Sequence, residues 1–232
     1  MGVPIKSGKV RVNPPRSNSL PPGEGESWRV LQLAIIAHHA LFGCDKISGY
    51  CFGGRAQAKN QVKITLEPVG DIAHGTMEKL KDRVGDIFHC PVVIGAGFSD
   101  LAQAYNPERK QYLSSKLLAS LGRAERGTRV VGIADVDLYV PRLNFVFGEA
   151  DVLSGTAIVS LCRLRQEYYG LAPDEALFLE RAAKEIVHEL GHTFGVGHCS
   201  NNKCVMHFSN SLADTDLKEA LFCSMCRPKI IL

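Results

Sequence analysis

Three histidines and a glutamate lie close together near the end of this 232-residue chain, in the run His188-Glu189-Leu190-Gly191-His192-Thr193-Phe194-Gly195-Val196-Gly197-His198. The run fits H-E-x-x-H-x-x-G-x-x-H at every fixed position. On a helix, His188 and His192 stand one turn apart and project from the same side, so their imidazoles can share one ion. Glu189 follows His188 directly and cannot point along the same line. It is suited to hold a water at the ion rather than to bind the ion. A helix continuing past Gly195 would swing His198 away. Gly195 and Gly197 let the chain turn sharply, so that His198 approaches from the other side. Three protein ligands leave one position of a tetrahedral zinc open, the arrangement of a catalytic site. The chemistry is then hydrolysis. Zinc lowers the pKa of water from about 15.7 to about 7, and Glu189 takes the proton and passes it to the leaving amine. Zinc also stabilises the developing oxyanion. Tyr139, Tyr168, Tyr169 and His207 are candidates for a second oxyanion donor, and each suits a structural role as well. The competing reading is an amphipathic helix with two surface histidines. The coincidence of five fixed residues, glycine included, outweighs it.

A second cluster follows at once. Four of the eight cysteines, Cys199, Cys204, Cys223 and Cys226, fall in the last 34 residues. A C-x4-C pair and a C-x2-C pair suit a closed four-thiolate zinc site that pins a tail with little apolar core of its own. Two disulfides or buried free thiols are the alternative. The other four cysteines, Cys44, Cys51, Cys90 and Cys162, are scattered, which points to a reducing, cytoplasmic compartment rather than a disulfide framework. Met206 lies between the cysteine pairs, where the plain reading is an ordinary core residue.

Taken together, His188-Glu189, His192, Gly195, His198-Cys199, Cys204, Met206, Cys223 and Cys226 resemble the archaemetzincin family of zinc metalloproteases. Asp135-Val136-Asp137-Leu138-Tyr139-Val140 and Leu143-Asn144-Phe145-Val146-Phe147-Gly148-Glu149 are similar to its archaeal and bacterial members. The resemblance spans roughly residues 60–232 and fills every metal-ligand position of the family pattern. It implies a compact metzincin fold with two zinc ions per chain, one catalytic and one structural. It implies a methionine turn at Met206 and a peptide or protein substrate, hydrolysed in an aminopeptidase-like way by some members. It also implies an edge strand near Leu143–Phe147 that pairs with an extended peptide. The rival for the whole chain is a non-catalytic zinc-binding interaction module.

The elements that must position these residues follow from periodicity. Val62, Ile64 and Leu66 alternate as a strand. Met77, Leu80, Val84 and Ile87 keep helical spacing, with Thr76 as N-cap. Pro91–Ile94 reads as a short strand. Leu113, Leu117, Leu118 and Leu121 share a helical face that Gly122 closes. Val130–Val140 and Phe145–Phe147 read as strands, and Ala157–Leu164 as a near-continuous apolar strand. A long helix starts near Pro173-Asp174, with Leu179, Ala183, Ile186 and Leu190 as its buried stripe. This order predicts an α+β fold, a mixed twisted sheet with packed helices and a short cysteine-rich C-terminal subdomain. The expected units are an N-terminal extension (1–59) and a protease domain (60–232), the latter divided into 60–195 and 196–232.

Composition limits the partners. Apolar residues make up 45% and charged residues 22%, with a net charge of +3, ordinary for a globular domain. Residues 1–60 hold eight Lys/Arg against three Asp/Glu, so the basic excess sits in a Pro- and Gly-rich leader and the remainder is near neutral. That argues against nucleic acid as a partner. No run approaches the roughly 20 apolar residues of a membrane span. The leader, with Leu41-Phe42-Gly43-Cys44, admits a lipid anchor at Cys44, but its polar lead-in is too long for such a signal. His38, His39, Cys44 and Cys51 are too irregularly spaced to argue for a further metal. The chain is expected to act as a monomer.

Overall fold

The computed structural model describes residues 62–230. The expectations for residues 1–59, including those for His38, His39, Cys44 and Cys51, lie outside the described residues. The described residues form eight strands: β1 (Lys63–Val69), β2 (Val92–Ile94), β3 (Tyr105–Asn106), β4 (Gln111–Leu113), β5 (Thr128–Ala134), β6 (Leu138–Tyr139), β7 (Gly148–Asp151) and β8 (Thr156–Ser160). They also form four α-helices: α1 (His74–Phe88), α2 (Ser114–Ser120), α3 (Glu175–Thr193) and α4 (Leu212–Leu217).

The main sheet runs β2-β1-β5-β8-β7. Its first four strands are parallel, and β7 alone is antiparallel, closing a hairpin with β8. Alternation along the strands sorts the core into two layers. Ile64, Leu66, Val131, Ile133, Ala157 and Val159 face α1 and α3 in one cluster. Val69, Ala134 and Ile158 face Leu117 and Leu118 of α2 in another. Helices on both faces are what a largely parallel sheet requires, and the fold is the mixed one the sequence predicts. Among the described residues, no helix is long and apolar enough to cross a membrane.

Four local expectations are corrected. Helix α1 begins one turn early, with Ala73 as N-cap and no side-chain cap bond, so Thr76 lies inside the helix. The strand expected over Val130–Val140 breaks after Ala134. Asp135 pairs with Arg165, and Asp137 takes a two-pronged contact from Arg163 at 2.6 and 2.7 Å. These two carboxylates pull the chain off the main sheet, and Leu138 resumes as β6 beside β4 in a small second sheet.

The edge strand expected at Leu143–Phe147 is instead β7, Gly148–Asp151. The preceding residues are irregular because side chains occupy their carbonyls. Arg109 Nη2 donates to Leu143 O (2.6 Å) and Asn144 O (3.1 Å), and Gln111 Nε2 donates to Asn144 O (2.8 Å). Phe145 and Phe147 are buried edge to face, their ring centres 5.1 Å apart. Likewise, the apolar run Ala157–Leu164 is strand only to Ser160, with a 3-10 turn at Cys162–Leu164.

Helix α3 carries the motif. Asp174 caps it, its carboxylate accepting from Leu177 N at 2.9 Å. Phe88, at the end of α1, stacks on Phe194 (6.2 Å) and meets Phe222 edge-on (5.8 Å). One ring thus joins α1, the end of α3 and the C-terminal tail. Phe88→Ala is expected to lower unfolding free energy by about 3–5 kcal/mol, the cost of emptying a buried aromatic position. Denaturant unfolding reads this directly, and a loss below about 1 kcal/mol would show that the ring joins nothing.

Candidate active site and metal centres

Helix α3 ends in a Schellman closure. Gly195 takes φ +81°, its N–H donates to His192 O (2.8 Å), and Val196 N donates to Gly191 O (3.1 Å). Gly195 is the residue that turns the chain; Gly197 does not take a positive φ. The turn does two things. It brings the ring of His198 to 5.3 Å from that of His188 and 4.9 Å from that of His192. It also aims the carbonyl of Val196 back at His192, whose Nδ1 donates to it at 2.8 Å.

His188 is treated the same way by another segment. Its Nδ1 donates to Val205 O at 2.7 Å. A carbonyl only accepts, so both imidazoles hold their proton on Nδ1 and present a bare lone pair on Nε2. Those two Nε2 atoms face each other at 3.1 Å. Two lone pairs so opposed repel unless a cation lies between them. Two nitrogens on a tetrahedral zinc at 2.0–2.1 Å would be about 3.3 Å apart. One ring nitrogen from each of His188, His192 and His198 lies within 4.8 Å of the others.

The three rings are also held neutral. Burial drives the pKa of His188 well below its usual range, with the Lys218 ammonium adding to the effect. Burial likewise lowers that of His192. His198 presents one side to solvent, yet burial of the rest of its ring, then His192, push it down to about 3. The donor set fits zinc: three neutral imidazoles, two of them oriented by a second hydrogen bond.

Glu189 is buried beside them. Its pKa is raised well above the usual carboxylate range, by burial first and then by the neighbouring charge of Glu185. It packs against the start of β7. A Cβ on Gly148 would lie 2.6–2.8 Å from the Glu189 Cγ, Cδ and Oε1 atoms, so the strand passes this close only because residue 148 is glycine. Nothing in the chain's periodicity distinguishes Gly148.

The tail supplies the other cluster. Cys199, Cys204, Cys223 and Cys226 are free thiols whose sulfurs lie within 4.8 Å of one another. Cys199 Sγ and Cys223 Sγ are 3.8 Å apart, too far for a disulfide. Two sulfurs on a tetrahedral zinc at 2.3 Å would be separated by about 3.8 Å. The backbone N–H of Met225, ahead of other contacts, lowers Cys223 to about 6, whereas burial raises Cys204 and Cys226.

Met206 lies between these clusters in a turn closed by His207 N donating to Cys204 O (2.9 Å). It is fully buried, and its Sδ occupies the space a Cβ on Gly191 would need, 2.3 Å away. Under His188 lies a pair that spacing gave no reason to seek. Lys218 and Glu185, both buried, form an ion pair at 3.0 Å.

Of the candidates for a second oxyanion donor, Tyr168 and Tyr169 turn their hydroxyl protons elsewhere. Tyr169 OH donates to Arg163 O (3.2 Å), Tyr168 faces Asp137, and Tyr139 accepts from Asn106 (3.2 Å). His207 Nδ1 donates to Cys199 O (3.0 Å).

Comparison with known proteins follows the same lines. A profile of peptidase family M54 matches residues 98–231. An archaemetzincin of Methanocaldococcus jannaschii is 41% identical over 170 residues, covering 73% of this chain and 93% of that protein. One from Pyrococcus furiosus is 41% identical over 176 residues, covering 72% and 91%. Among solved structures, an Archaeoglobus fulgidus archaemetzincin complexed with malonate aligns with a TM-score of 0.65 at 37% identity, covering 73% of this chain and all of that one. A zinc-dependent peptidase from Methanocorpusculum labreanum aligns with a TM-score of 0.65 at 30% identity, covering 72% and 98%.

Gly191, in the last turn of α3, and Gly195, just past its end, make a test. Gly191→Ala drives a methyl into Met206 and is expected to cost about 1–3 kcal/mol of stability and more if the turn shifts. Gly195→Ala meets open space and should cost only the left-handed backbone, about 1–2 kcal/mol. In paired melts, the first variant should also lose Met206 packing in methyl NMR and the second should not. Identical Met206 spectra in both would contradict the close approach.

Proposed function

The chain belongs to peptidase family M54, the archaemetzincins, and on that premise we propose that it hydrolyses peptide bonds with Glu189 as general base beside a zinc held by His188, His192 and His198. The observation that carries this reading is the facing pair of Nε2 atoms at 3.1 Å, each made a bare acceptor by a carbonyl at the opposite ring nitrogen. When bound there, zinc supplies Lewis acidity, polarising a carbonyl and lowering the pKa of water to about 7.

The chain's own residues do the rest. The outer edge of β7 carries no strand among the described residues, so an extended peptide can add to it as a further strand. Gly148 lets that edge run against Glu189, which places the scissile carbonyl beside the carboxylate. Burial excludes competing solvent and raises the basicity of Glu189. Glu189 Oε takes a proton from the attacking water, and the same oxygen then delivers it to the leaving nitrogen as the C–N bond breaks. Cys199, Cys204, Cys223 and Cys226 are assigned to a second, structural zinc, and Met206 to the floor beneath the histidines. We read residues 60–195 and 196–232 as the two sides of the cleft. An aminopeptidase-like preference is the finer form of the proposal.

Elemental analysis of the purified chain should return two zinc ions. Glu189→Gln is expected to keep both and to lose peptide cleavage by at least about 10²-fold, within the range for removing a positioned base. Undiminished cleavage by this variant would sink the mechanism. Gly148→Ala, which displaces Glu189, should lower kcat/KM by about 10²-fold while the metal content stays at two. Peptide libraries with free and blocked N-termini separate exo- from endopeptidase action. A hydroxamate should compete at the histidine site, whereas a closed, non-catalytic metal module would not respond.

A further inference from the structure

Lys218 is among the largest fully buried side chains of the molecule. A lysine is almost never placed so without a purpose, because its ammonium must be fully compensated. Its Nζ lies 3.0 Å from Glu185 Oε1 on α3 and donates to the carbonyl of His207 at 3.4 Å, while Nδ1 of His188, whose proton goes to Val205 O, stands 3.5 Å away. Glu185 Oε1 also accepts from Thr215 Oγ1 of α4 at 2.8 Å. The segment between Cys204 and His207 carries Val205, whose carbonyl orients His188, and Met206, which packs under Gly191. Glu185 lies one turn before Glu189 on α3. The ion pair therefore joins the helix that bears two histidines to the turn that orients one of them.

We propose that Lys218 is a positioning residue for the histidine site: through Glu185 and His207 O it holds the Cys204–His207 turn against α3, so that Val205 O meets His188 Nδ1. The inference rests on the reading that the three histidines hold a metal. The cysteine cluster alone would anchor the ends of this turn's segment but reaches neither Glu185 nor His188 by any described contact. The bridge supplies the cross-link at the level of the histidines. Losing an outer-shell partner of a metal-ligating histidine costs about 10–100-fold in affinity, and Lys218 sets such a partner in place.

The test uses the full chain loaded with Co²⁺, whose visible bands report the histidine site and whose sulfur charge-transfer bands report the cysteine site, titrated against a chelator. Lys218→Met is expected to weaken metal binding at the histidines by about 10–100-fold and to leave the thiolate bands unchanged. That variant strands the Glu185 carboxylate and can unfold on that account alone. The double variant Glu185→Met/Lys218→Met removes both charges, and apolar replacement of a buried pair is commonly neutral or stabilising. It should melt near the parent temperature yet keep the weakened histidine-site affinity. A double variant that binds Co²⁺ at the histidines as tightly as the parent overturns the proposal. A parent chain with no histidine-site band at all overturns the hydrolase reading and this one with it. The two failures are thus distinguishable.

Discussion

Val205 and Val196 each turn one backbone carbonyl toward the Nδ1 of an imidazole, at 2.7 and 2.8 Å. On these two hydrogen bonds the rest of the site depends. They decide which nitrogen carries the proton, and so which one can give its electrons to a cation. The side chains of the two valines do not enter into it; any residue has such a carbonyl. What matters is where the chain turns. The Schellman closure at Gly195 presents one carbonyl, and the tight turn from Cys204 to His207 presents the other.

Electrostatics in the two clusters follow one logic with different atoms. The histidines are buried until they prefer to be neutral, and the cysteines are crowded until burial opposes charge on two of them while backbone N–H groups favour it on a third. Each arrangement concentrates lone pairs in a small volume and is relieved by a cation. The Glu185–Lys218 pair differs. Its charges compensate each other, so it can sit beneath the histidines without calling for an ion of its own.

The sequence made the histidine and cysteine clusters legible because the spacing within each is local. His188 and His192 are related by helix geometry alone, and the short spacings in the cysteine pairs leave few conformations open. The glycine needed for His198 could be named for the same reason, although only Gly195 of the two turns out to bend the chain. The main strands were legible where apolar residues alternate, as in β1. Legibility failed where polar side chains replace the ladder. Asp135 and Asp137 end β5 through ion pairs with arginines nearly thirty positions away, and Arg109 and Gln111 occupy the carbonyls before β7. Such contacts depend on tertiary approach, which no period of two or 3.6 records. The same holds for Gly148, whose lack of a side chain matters only because Glu189 stands opposite, and for Lys218, which reads in sequence as an ordinary surface residue.

The four-residue length of β7 has a consequence for how the molecule behaves in a crowd. A strand with one unpaired side is a template on which any extended chain, including another copy of itself, can build. Here the template is brief, four residues long, and the carboxylates of Glu149 and Asp151 are already held within the chain, by Ser114 and by the backbone of Leu153 and Ser154. Two copies laid edge to edge would share only a short ladder. The brevity of this margin thus discourages fibre-like self-association.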